Sequence, residues 1–272
     1  MLVMLRAIFT TLPAILASLL ITTSGFGGNV QKRRPVLTLT VIFNNIPFEA
    51  HLTISWGFSC LIEGIDQTIL FDTGGEGKIL LSNMGLMDID PKSIDMVFLS
   101  HIHADHTGGL EDFLKKNHDI TVCLPESFPT SFQQAITETG ARIRAMDDFT
   151  RLFDSVYSSG EMGDWIKEQA LILKTSNGLV IITGCAHPGI VNVVREARDR
   201  CNDNVYLLMG GFHLGGMTSE QIQEVIRALK KLGVKKVAPS HCTGERAMSM
   251  FRDAWGENFL QGGTGAMIEV PR

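Results

Sequence analysis

Residues Val36–Asn44 set Thr38 and Thr40 against apolar neighbours, and this period of two predicts a strand. His51–Glu63 and Thr68–Phe71 read as two further strands turning through Gly64-Ile65-Asp66-Gln67. Lys78–Met84 predicts a short helix and Ile94–Leu99 a buried strand. Leu110–Lys116 is helix-like, Thr121–Leu124 is a short strand ended by Pro125, and Thr130–Glu138 is a helix that stops at Gly140. Ala141–Phe153 and Val156–Tyr157 carry a weaker strand pattern.

The second half repeats these element types without repeating the sequence. Ala170–Lys174 and Leu179–Thr183 form a strand pair turning at Ser176-Asn177-Gly178. Pro188 opens a helix, where its missing N–H costs nothing, and Ile190, Val193, Val194 and Ala197 give that helix one apolar face. Val205–Met209 is a strand. Thr218 with Gln221 predicts a capping box opening a helix with the face Ile222, Val225, Ile226, Leu229 and Leu232, and Gly233 suits its C′ position. Val234–Ala238, Glu245–Trp255 and Ala266–Val270 follow as strand, helix and strand. Strands alternating with helices in both halves make this an α/β chain.

At 272 residues, with 44% hydrophobic and 19% charged residues, the chain has enough apolar material for a sizeable core, which excludes disorder. A net charge of −5 and the lack of a basic stripe argue against a nucleic-acid partner. The five cysteines (Cys60, Cys123, Cys185, Cys201 and Cys242) form no C-x-x-C pair, so no disulfide framework is expected, and Cys185 and Cys242 read as small buried hydrophobes. Ala7–Thr23 is nearly all apolar, follows Arg6 and precedes Ser24-Gly25-Phe26-Gly27-Gly28. Residues 1–34 therefore read as a signal peptide or anchor with a basic linker, and residues 35–272 as one domain. Export or membrane anchoring is expected ahead of a cytoplasmic location, with membrane contact only through that leader if it is retained.

The chemistry centres on Ser100-His101-Ile102-His103-Ala104-Asp105-His106, directly after the apolar Met96-Val97-Phe98-Leu99. Open α/β folds place their sites in such loops at strand ends. Imidazole and carboxylate suit zinc, with manganese or iron as alternatives. Histidines at i and i+2 can point to one ion, and Asp105 and His106, further round the turn, to a second. Three more histidines end apolar strands among small residues: His187 in Gly184-Cys185-Ala186-His187-Pro188-Gly189, His213 in Gly210-Gly211-Phe212-His213, and His241 in Pro239-Ser240-His241-Cys242-Thr243-Gly244. His187 and His241 read as ligands. His213 reads as a ligand or a substrate contact, and His51 and His118 as structural or solvated. Asp72, in Asp72-Thr73-Gly74-Gly75, reads equally as an orienting carboxylate and as an Asx-turn residue.

His-x-His-x-Asp-His after an apolar strand resembles the metallo-β-lactamase superfamily. That resemblance implies an αβ/βα sandwich of four layers, with His101, His103 and His187 on a first metal ion and Asp105, His106 and His241 on a second. Many members carry a bridging Asp where this chain has His213. Further motifs are Trp56-Gly57-Phe58-Ser59-Cys60-Leu61-Ile62-Glu63, Phe71-Asp72-Thr73-Gly74, Glu168-Gln169-Ala170-Leu171, Gly210-Gly211-Phe212-His213-Leu214 and His241-Cys242-Thr243-Gly244. Together they resemble the dihydropterin-methyl aminobenzene ribosyl phosphate synthase family from about Val36 onward. Ala104 stands where members often have Tyr.

The resemblance implies condensation of a dihydropterin-methyl diphosphate with an aromatic amine, one or two divalent metal ions, and a phosphorylated or pterin-like small-molecule substrate. Asp105 and His213 are the candidate catalytic groups. The alternatives are a metal-dependent hydrolase of a phosphoester, thioester, lactone or β-lactam, and a non-catalytic metal- or pterin-binding module. Tyr157–Lys167 is a candidate lid, and a homo-oligomer stays open.

Overall fold

A computed structural model describes residues 36–272, so the apolar leader lies outside the described residues. Among the described residues no helix is long and apolar enough to cross a membrane. The first half contains β1 (Val36–Asn44), β2 (Phe58–Glu63), β3 (Ile69–Phe71), α1 (Gly77–Leu86), β4 (Met96–Phe98), α2 (Ala104–Thr107), α3 (Leu110–Leu114), β5 (Thr121–Pro125), α4 (Thr130–Glu138) and β6 (Arg142–Met146). The second contains β7 (Thr150–Phe153), β8 (Val156–Ser158), β9 (Leu171–Thr175), β10 (Gly178–Thr183), α5 (Ile190–Cys201), β11 (Val205–Gly211), α6 (Ser219–Lys231), β12 (Lys236–Ser240), α7 (Glu245–Trp255) and β13 (Met267–Pro271).

Two mixed sheets result. One has the order β13-β1-β2-β3-β4-β5-β6, and the other β12-β11-β10-β9-β8-β7. In the first, β3, β4, β5 and β6 are parallel to one another; in the second, β10, β11 and β12 are. The alternation seen in β1 has a direct structural reading. Leu37, Leu39 and Val41 enter the core between the sheets with Cys60, Phe71, Phe98, Leu171, Leu173, Val180, Ile182, Leu207 and Met209. A register shift between Val41 and Phe43 then turns Phe43 to the outer face, where Ile42 and Phe43 pack with residues of α1, α3 and α4. The other outer core joins the second sheet to α5, α6 and α7 through residues such as Val193, Ile226 and Phe251. Helix, sheet, sheet, helix is the four-layer sandwich that the resemblance implied.

Several element boundaries differ from the sequence reading: α5 begins at Ile190 with Gly189 as its N-cap, so Pro188 precedes the helix rather than opening it, and two further differences bear on the site. The strand expected from His51 begins only at Phe58. Gly57 interrupts it at φ 142°, and a Cβ there would stand 2.3 Å from the Asp105 carbonyl oxygen, so this stretch is shaped to receive the ligand loop rather than to pair. Ala141–Phe153 splits into β6 and β7, which lie in different sheets, so the chain crosses between the two halves there.

Candidate metal centre

Parallel strands release the chain at one edge of each sheet. Asp72 follows β3, Ser100 and His101 follow β4, Cys185 and His187 follow β10, His213 follows β11, and His241 follows β12. Asp72, Ala186, His213 and His241 have φ of 53°, 60°, 51° and 51°, a left-handed conformation that non-glycine residues rarely adopt. The central motif is not wholly a loop. Ala104–Thr107 winds into one helical turn, held by bonds from the Thr107 N–H and hydroxyl to the His103 carbonyl, each 3.1 Å. That turn directs Asp105 and His106 toward His241.

The histidines fall into two groups. His101, His103 and His187 bring one nitrogen each within 4.8 Å of the others. Asp105, His106, His241 and Cys185 do the same with Oδ2, two Nε2 atoms and Sγ. His106 Nε2 is 3.2 Å from His241 Nε2, which is 3.2 Å from Asp105 Oδ2. His213 stands apart from Asp105. It is exposed, its ring is centred 4.5 Å from that of His187, and it groups with His187 and Cys185. His51 and His118 are exposed and lie outside all three groups.

In four of the rings, His101, His106, His187 and His241, the opposite edge is held by a partner. His187 Nδ1 lies 2.7 Å from Glu168 Oε2, and Glu168 also accepts the backbone N–H groups of Cys185, Ala186 and His187 at 2.8, 2.8 and 2.9 Å. His106 Nδ1 lies 2.7 Å from Asp72 Oδ2. His241 Nδ1 lies 3.0 Å from Asn45 Oδ1. The Ser100 hydroxyl donates to Asp72 Oδ2 at 2.7 Å and so receives the His101 Nδ1 proton, 2.9 Å away. With these partners accepting, a neutral ring at any of these four positions carries its proton on Nδ1 and presents Nε2 as a bare lone pair.

Those lone pairs face one donor at most among the described residues, the Cys185 thiol 3.3 Å from His106 Nε2. His101 Nε2 is buried with no hydrogen-bond partner among the described residues. His106 and His241 aim two acceptors at each other beside a carboxylate oxygen. Burying acceptors in this way is costly unless a cation completes them, and nitrogen, oxygen and sulfur donors at this spacing fit zinc or iron.

Electrostatics agree with rings ready to ligate. Burial, reinforced by the neighbouring imidazoles, pushes His101 and His106 down to about 3, so both are neutral at neutral pH. Burial would raise Glu168 and Asp105, but the hydrogen bonds that Glu168 accepts from His187, and the neighbouring imidazoles of His241 and His106 beside Asp105, hold both below the usual carboxylate range. Burial pushes Asp72 up to about 8 against the pull of His101 and the Ser100 donors, and a cation held by His101 or His106 would oppose that rise. The neighbouring Cys242 thiol, together with burial, pushes Cys185 above the ordinary thiol range, and Cys185 and His213 in turn bring Cys242 down to about 5.

Sequence reasoning assigned no role to Glu168 or Asn45. Glu168 stood in a quoted motif, and its signal was an acid directly ahead of the apolar β9. Asp72 is fully buried against His106, an orienting contact rather than a plain Asx turn. The candidate lid runs from β8 to Glu168, with a bridge between Met162 and Glu168 and with Trp165 97% exposed.

Comparison with known proteins gives this geometry a lineage. The metallo-beta-lactamase superfamily model matches residues 57–201. The chain is 35% identical over 270 residues to the 7,8-dihydropterin-6-methyl-4-(beta-D-ribofuranosyl)-aminobenzene-5'-phosphate synthase of Methanocaldococcus jannaschii, covering 83% of this chain and 92% of the relative. The chain belongs to the metallo-beta-lactamase superfamily. A solved structure described as a metal-dependent hydrolase of the beta-lactamase superfamily superposes with a TM-score of 0.75 and 26% identity, covering 87% of this chain and all of that one. The metallo-beta-lactamase fold protein YhfI of Bacillus subtilis gives 0.65 at 16% identity with the same coverage, a likeness of fold alone. As a superfamily member related over most of its length to a named synthase, the chain is an enzyme.

Proposed function

We propose that this chain is a metal-dependent transferase that condenses a dihydropterin-methyl diphosphate with an aromatic amine and releases diphosphate. The observation that carries the reading is the pair of adjacent donor groups, each with lone pairs aimed at a common point, in a chain 35% identical to the archaeal synthase. His101, His103 and His187 would hold one ion, and Asp105, His106 and His241 a second. Bound divalent ions supply positive charge against the departing diphosphate.

The remaining work falls to the chain's own groups. Asp105 is 21% exposed, whereas Asp72 and Glu168 are buried, so Asp105 is the carboxylate placed to take the proton that the attacking amine sheds. Beside His241 lies a cavity of about 390 Å³ walled by Ile46, Pro47, Trp56 and Met248. The Trp56 ring, centred 4.9 Å from that of His241, offers a flat face to a pterin or a benzene ring. His213, at the exposed flank beside His187, is placed to contact the substrate.

The 26% identical metal-dependent hydrolase favours a second reading, in which water rather than the amine displaces the same leaving group. Phosphorus NMR separates the two. Metal-loaded protein is incubated with the dihydropterin-methyl diphosphate, with and without the aminobenzene ribosyl phosphate. Diphosphate released only with the amine supports the transferase, and release in both tubes supports the hydrolase. No release from protein that holds metal overturns both.

A further inference from the structure

The second donor group has a member that neither the resemblance nor the spacing of histidines supplies. Cys185 Sγ is 3.3 Å from His106 Nε2 and within 4.8 Å of the donor atoms of Asp105 and His241. Among the other three, His106–His241 and His241–Asp105 are each 3.2 Å and His106–Asp105 is 3.6 Å. A tetrahedral ion with bonds of about 2.0–2.3 Å holds its ligand atoms roughly 3.2–3.8 Å apart. These four separations have the spacing of tetrahedral edges.

Hydrogen bonding does not account for the cluster. An S–H from Cys185 satisfies one acceptor at most, His106 Nε2, and the His241 lone pair and the Asp105 oxygen remain turned on one another. The backbone is also built to bring this sulfur in. Glu168 anchors the Cys185 N–H, and Gly184 approaches so closely that a Cβ would stand 2.1 Å from the Ser100 hydroxyl. Cys185 further shares a group with His187 and His213, on the side of the first centre.

We propose that the Cys185 sulfur is a ligand of the second centre, completing an Asp-His-His-Cys set, and that it fills the space between the two centres. The thiol gives up its proton on binding the ion. A soft sulfur donor selects zinc or ferrous iron over manganese or magnesium. The inference rests on the metal-binding reading above, and cobalt spectroscopy tests it independently of any substrate.

The full chain is loaded with Co²⁺. Wild type is expected to show visible d–d bands and a near-ultraviolet sulfur-to-cobalt charge-transfer band. Cys185→Ser is expected to lose the charge-transfer band and to bind its second equivalent at least about tenfold more weakly, since even an outer partner of a ligand is worth that much. Cys242→Ser is expected to keep the band. If Cys185→Ser does not fold, wild type and Cys242→Ser still decide. A wild type with d–d bands but no charge-transfer band overturns the sulfur ligand and leaves the metal reading intact. Loss of the band in Cys242→Ser, with retention in Cys185→Ser, overturns the assignment of the residue. A wild type that takes up no cobalt overturns the metal reading itself, and this proposal with it.

Discussion

Glu168→Gln tests the most heavily used partner in the site. The carboxylate accepts four bonds, from the backbone N–H groups of Cys185, Ala186 and His187 and from His187 Nδ1, at 2.7–2.9 Å. A glutamine keeps one acceptor oxygen. If that oxygen serves Cys185 and Ala186, the new NH₂ faces the His187 N–H and ring. One backbone donor is then left buried and unpaired, at a cost of about 1–3 kcal/mol, and the charge assistance of the other bonds is lost at a similar cost. The expected destabilisation of the metal-free protein is therefore about 2–6 kcal/mol. His187 can relieve its own clash by moving its proton to Nε2, but that places a hydrogen on the atom that ligates. Affinity at the first centre should fall about 10–100-fold either way. Urea unfolding of the metal-free protein measures the first effect, and competition with a chromophoric chelator the second. A variant with an unchanged urea midpoint and two wild-type metal affinities would refute the assignment of Glu168 as the anchor of His187.

Two further outcomes follow from the same geometry. Asp105→Asn should fold normally, because the side chain is part exposed, and lose about 10²–10⁴ in turnover as its proton-accepting role disappears; steady-state rates with metal content measured in parallel check this. Acid should destabilise the metal-free protein between pH 6.5 and about 3. His101 and His106 stay neutral in the fold down to about 3 while the unfolded chain protonates them from 6.5, so their contribution is intact above 6.5 and falls as pH drops, while Asp72, pushed up to about 8, takes its proton first in the fold and offsets part of that loss. At pH 4.5 the loss is on the order of 2–3 kcal/mol for each ring taken singly, read from urea midpoints across the pH series.

Much of this was legible because the candidate ligands announce themselves locally. His101, His103, Asp105 and His106 lie within six positions, and His187 and His241 each end an apolar strand among small residues. The four layers were legible as α/β from periodicity and as a sandwich from the resemblance. The partners that orient the rings were not. Glu168 lies 19 positions from His187, Asp72 34 positions from His106, and Asn45 196 positions from His241, so the first two contacts exist only after neighbouring strands of one sheet have paired and the third only after the two sheets have stacked. Cys185 was read as packing because burial is the common fate of a cysteine, and its sulfur is indeed buried. What sequence cannot show is the direction in which Sγ points. The His51–Glu63 strand failed for a related reason. Its composition suits pairing, but Gly57 is there to admit the Asp105 carbonyl, a contact across 48 positions.

Because the donors come from both halves of the chain, the metal should also act as a structural clasp. His101, His103, Asp105 and His106 follow β4 of the first sheet, and His187 and His241 follow β10 and β12 of the second. An ion at either centre is therefore held by both sheets, and an unfolded chain has no comparable site to offer it. Binding to the folded state alone stabilises by about 4.1 kcal/mol when free metal is at roughly 1,000 times its dissociation constant. For a domain of this size each kcal/mol moves the melting temperature by about 2–4 °C, so chelation should lower it by roughly 8–16 °C. His103→Ala should lose part of that shift, and Asp105→Asn another part, since each removes a donor from a different centre. Differential scanning calorimetry of loaded, chelated and reloaded protein measures this directly. Melting curves that coincide with and without metal, in protein shown to bind it, would mean that the ion does not bridge the sheets and that the six donors do not act as the two sets described.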